Sequence, residues 1–158
     1  MTDVSSLLPP DAVVALRSFP RRYATTVGAR NHEDGGNLAE VKGPDGRSAL
    51  DLLVETTAAI ATATRDLRQI LAGGTPTLGD ATGVVAGRDL EAELQALDEA
   101  AHALADAVEH VPGNDWELTA TSADGETVTA LDVVREAVGV AAGNLRAAER
   151  TIGAAREG

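Results

Sequence analysis

The side chains best suited to metal or acid–base chemistry are few: three histidines, His32, His102 and His110, and no cysteine at all. Without cysteine the chain has no thiolate ligand and no thiol nucleophile of its own, so any thiol chemistry would need a diffusible thiol. No two histidines stand four residues apart, the spacing that sets two imidazoles on one helix face for a metal. Asp98, His102, Asp106 and His110 do follow one another at four-residue steps. Such a row reads either as a mixed carboxylate and imidazole ligand set or as solvated local charge pairs, the ordinary content of an exposed helix face. His110, at a helix end, suits the negative pole of the helix dipole. Asn31-His32-Glu33-Asp34 offers donors too, but metal sites need ligands that converge and partners that orient them, and this run reads as a polar loop. Gly73-Gly74-Thr75 lacks the Gly-Lys-Ser/Thr of a phosphate loop and reads as a helix stop.

Four segments of helical periodicity must position these groups. The first begins after Pro9-Pro10 with Asp11 near its cap, carries Val13, Leu16, Tyr23 and Val27 as its apolar stripe, and ends near Gly28, with a kink expected at Pro20. The second opens at Ser48 with a Ser48-x-x-Asp51 cap and presents Leu50, Leu53, Thr57, Ile60, Thr64, Leu67 and Leu71 until Gly73-Gly74. Leu90, Leu94, Leu97, Ala101, Leu104 and Val108 stripe a third helix from about Arg88 to His110, stopped by Pro112-Gly113. Alternation over 116 to 121 and the turn pair Asp124-Gly125 predict a small hairpin. The last helix starts near Thr129, capped through Asp132, with Leu131, Val134, Val138, Ala141, Leu145, Ala148 and Ile152 inward and fraying expected after Gly153. Gly139 and Gly143, one turn apart, suit either a close intersubunit contact or simple tolerance. The expectation is a single all-α domain over residues 1–158, a four-helix bundle with long connections at about 30–47, 72–87 and 111–128 that could roof a pocket. Alternating Leu and Ala predict closely approaching helices, a pattern that does not by itself imply a large preformed cavity.

Composition removes several function classes. Thirteen Lys and Arg against 25 Asp and Glu give a net charge of −12, which repels nucleic-acid backbones and anionic lipid. Phe19, Tyr23 and Trp116 are the only aromatics, too few for base-stacking platforms. MTDVSSLLPPD has no basic, apolar leader pattern and no segment is apolar enough to span a bilayer, so a cytoplasmic protein is expected.

Two stretches carry a family resemblance. Asp45-Gly46-Arg47-Ser48-Ala49-Leu50-Asp51-Leu52-Leu53-Val54-Glu55 resembles the start of the second helix in DinB/YfiT-like proteins, with Arg47 where that pattern has Trp. Asp115-Trp116, with Asp124-Gly125-Glu126-Thr127-Val128-Thr129-Ala130-Leu131-Asp132-Val133-Val134-Arg135-Glu136 after it, is similar to the mycothiol-dependent maleylpyruvate isomerase N-terminal family, and the likeness spans nearly the whole chain in order. The resemblance implies a DinB-like four-helix bundle, often dimeric, with a divalent metal held from helices two and four and a low-molecular-weight thiol such as mycothiol as co-substrate.

The family's ligand positions are not kept. Glu55 stands at the helix-two His position, Val140 and Asn144 at the two helix-four His positions, and Glu136 matches the Glu that precedes the metal His. At roughly 100° per residue, Glu55 falls about 150° from the centre of its helix's apolar face, beside Asp51 and Asp66. Glu136 groups with Asp132 and Arg150 on a polar surface, and Asn144 lies on the boundary beside Val133 and Val140. Two carboxylates and an amide make a hard-oxygen set suited to Mg²⁺ or Ca²⁺, not the nitrogen-rich set that activates a zinc-bound thiol or water.

The expected protein is a DinB-like bundle with a degenerate metal site, metal-free, acting as a binding or scaffold protein and a candidate homodimer through an apolar helix face. The alternative is a thiol-dependent transferase or isomerase that activates mycothiol through polar groups at the bundle mouth such as Asn144. An acidic surface that steers a basic protein partner is a third reading.

Overall fold

The computed structural model describes residues 7–33, 42–43, 46–73, 77–78, 90–122 and 124–157. Helix α1 (Pro9–Glu33) starts with proline in its first turn, where the missing amide donor is not needed. Asp11 sits inside that turn, not at the cap, and accepts from the Leu8 amide at 3.4 Å. The helix runs past Gly28 and carries His32 and Glu33, so the expected loop at Asn31-His32-Glu33 is helical; Asp34 lies outside the described residues. A lone glycine costs a helix only about 1 kcal/mol and stops it only where the backbone turns left-handed. Helical backbone also continues on both sides of Pro20.

Helix α2 (Ala49–Leu71) opens on a closed capping box: Asp51 N donates to Ser48 Oγ at 3.0 Å and Ser48 N to Asp51 Oδ2 at 2.9 Å. Gly73, at φ +93°, turns the chain out of it. Helix α3 (Leu90–Glu109) leads through a 3₁₀ turn, Gly113–Glu117, into the expected hairpin of β1 (Thr119–Thr121) and β2 (Thr127–Thr129). The strands pair antiparallel with Ala120 opposite Val128, and Gly125, at φ +90°, makes the turn. Helix α4 (Ala130–Glu157) is capped reciprocally by Thr129 and Asp132, both bonds at 3.0 Å, and continues helical past Gly153.

In the bundle α2 packs on α3 and α4, and α1 packs on those same two helices. The consecutive pairs α1/α2 and α3/α4 therefore face each other across diagonals. This accounts for long links between them, since two to eight residues suffice only for neighbours.

Each helix touches two others, so the buried faces are broader than single stripes. On α1 the buried positions are Ala12, Leu16, Phe19 and Tyr23, with Val13 only partly covered; Phe19 and Tyr23 meet edge to face, centroids 6.5 Å apart. On α2, Leu52, Thr56, Ala63 and Ile70 are buried beside the expected Leu53, Ile60, Thr64 and Leu67, while Leu50, Thr57 and Leu71 sit at the edge. Val134, Val138, Ala141, Leu145, Ala148 and Ile152 of α4 face inward as expected.

Candidate functional site

Where α2, α4 and the hairpin meet, they enclose a cleft of about 580 Å³. Close helix packing did not imply this space, and the structure adds it. The reason is local: Ala59 and Ala63 on α2 and Ala137 on α4 are too small to fill the space between their helices, and the hairpin closes one side without inserting a large side chain. Leu78, 5% exposed, caps the cleft from the segment after α2, held by its amide bond to Thr121 O at 2.7 Å. The roofing role expected of the long connections is played by these residues and by Val128.

The cleft's polar groups are Thr62 and Asp66 from α2, Ser122, Asp124 and Glu126 from the hairpin, and Glu136 from α4. Asp66, expected on a solvated face beside Glu55, is only 9% exposed and is a correction. Arg65 Nη2 and Nε donate to its Oδ1 at 3.0 and 3.2 Å. Ala59/Thr62 and Ala63/Asp66 are three apart and Ala59/Ala63 and Thr62/Asp66 four apart, the signal that could have placed Asp66 on this ridge. Ser122 Oγ donates to Asp124 Oδ1. That bond, first among its causes, holds the Asp124 carboxyl below the usual carboxylate range.

Of the four family positions, Glu136 and Val140 line the cleft, while Glu55 and Asn144 are not among its lining residues. Both Glu55 carboxylate oxygens are engaged by Arg47 Nη1, at 2.8 and 3.0 Å. The residues at the family's Trp and His positions thus form an ion pair with each other. Asn144 Nδ2 donates to Thr56 Oγ1 at 3.1 Å, Thr56 lies 2.8 Å from the Tyr23 hydroxyl, and Tyr23 donates to Ala141 O at 2.7 Å. This chain of bonds ties α1, α2 and α4 together inside the core. Burial pushes the Tyr23 phenol well above the ordinary tyrosine value, so it stays a neutral donor. Tyr23 was legible only as an apolar stripe residue.

The imidazoles of His102 on α3 and of His110 just after it lie elsewhere. His102 Nδ1 is 2.8 Å from Asp98 O and His110 Nδ1 is 2.7 Å from Asp106 O, both exposed, each turned back on its own helix. Asp106 also accepts from Arg17 of α1 at 3.1 Å, and Glu109 pairs with the same guanidinium. The four-residue row is a network of surface charge pairs. Gly143 is exposed, with open space where a side chain would stand. Among the described residues no three His, Cys, Asp or Glu side chains gather closely enough to hold a metal ion. The side chains at the three His positions therefore do not fit a nitrogen-ligated metal: Val140 is a hydrocarbon, Glu55 a carboxylate committed to Arg47, and Asn144 an amide whose nitrogen is bonded to Thr56.

None of the described helices is long and apolar enough to cross a membrane. No family model matches the sequence, and no curated protein matches it. Among solved structures, the chain is similar to YfiT from Bacillus subtilis, described as a probable metal-dependent hydrolase with an unusual four-helix bundle topology. The match has a TM-score of 0.77 at 12% identity and covers 96% of this chain and 89% of that one. A likeness at that identity speaks for the fold, since function resides in sites grafted on it. In architecture, the chain is an all-α four-helix bundle similar to that of YfiT.

Proposed function

We propose that this protein uses the YfiT-type bundle to bind a small molecule in the cleft between α2, α4 and the hairpin, without a nitrogen-ligated metal. The observation that carries the reading is the cleft itself: about 580 Å³, within the size range of small-molecule sites, lined among the described residues by carboxylates, hydroxyls and aliphatic groups and by no imidazole, amine or guanidinium. Metal-dependent hydrolysis, the activity ascribed to YfiT, needs a cation that polarises a carbonyl or ionises water. The side chains at Glu55, Val140, Asn144 and Glu136 supply no imidazole for it.

Thiol transfer with mycothiol is the weaker reading. A thiol is activated by neighbouring positive charge or a metal, and carboxylates disfavour its thiolate. The cleft has four carboxylates and no cation among its lining residues, and Asn144, the polar group expected to serve this chemistry, is bonded to Thr56 instead.

Amide-resolved NMR against a mixed set of small fragments tests the binding reading. Saturable shifts are expected at amides 59–66 and 133–140. Shifts confined to other surfaces would refute it.

A further inference from the structure

We draw no further inference here: the strongest candidate, the acidic rim of Asp124, Glu126 and Glu136 around the cleft between α2, α4 and the hairpin, belongs to the site already described and has, among the described residues, no second feature that points to a ligand.

Discussion

At the scale of single residues, a bond chain runs from Asn144, a position where the resemblance places a metal ligand, through Thr56 and Tyr23 to Ala141 O in the core. Its members satisfy one another, which makes Asn144 a structural group. Tyr23→Phe should lower stability by about 1–2 kcal/mol in urea denaturation, the cost of removing one partner from a buried bond. Thr56→Val combined with it should cost less than the sum of the two singles, because both delete the same interaction. Additive losses would separate the two groups. A helical wheel places Asn144 on the boundary of its helix's apolar face, and half-burial agrees. Its partner was not legible, because Thr56 reaches it only through the packing of α2 on α4. Asp66 is misplaced by the wheel for a similar reason: a wheel centred on one stripe treats the opposite side as solvent, but α2 packs on two helices and the hairpin covers part of the remainder.

Among elements, the helix starts at Ser48 and Thr129 were readable from Ser/Thr-x-x-Asp alone, because the capping bonds are local. Helix ends were less so. Gly73 stops α2 because it takes positive φ, whereas Gly28 stays helical, although both are glycines near the end of an apolar stripe. At the α2 cap the Lys42 ammonium, 2.7 Å away, and then the Ser48 amide hold the Asp51 carboxyl below its ordinary value. A carboxyl depressed by folding contributes stability that is fully present above its unfolded value, about 3.9, and is lost as pH falls through its folded value. Lys42→Ala should therefore raise the Asp51 titration midpoint by carbon-detected NMR and move acid unfolding to higher pH. An unchanged midpoint would remove the lysine from the cap. Gly43 seats the segment before α2 against α4: a methyl group there would come within 2.6 Å of Thr151 Oγ1. Gly43→Ala should cost about 1–3 kcal/mol by overpacking, with part recovered on adding Thr151→Ala, as read from thermal melts.

For the whole molecule, four amphipathic segments and long links were sufficient to indicate an all-α bundle, since periodicity and breaker residues are properties of the chain itself. The order of helices around the bundle was not, because it depends on which faces meet. That order brings the cleft into being. Ala59, Ala63 and Ala137 looked like close-packing residues in sequence, and they become the wall of a space once α2 and α4 lie side by side with the hairpin over their edge. The same arrangement turns Asp124, Glu126 and Glu136, ordinary surface acids when read singly, into parts of one acidic mouth. This bundle thus pairs an architecture similar to that of YfiT with Glu55, Glu136, Val140 and Asn144, a set that contains no imidazole, and we propose that it holds no transition metal there. Elemental analysis of protein produced with zinc, nickel and manganese in the medium, then dialysed without chelator, puts that combination to trial. Substoichiometric content of every first-row metal is expected. One tightly held zinc, nickel or manganese ion per chain would contradict it.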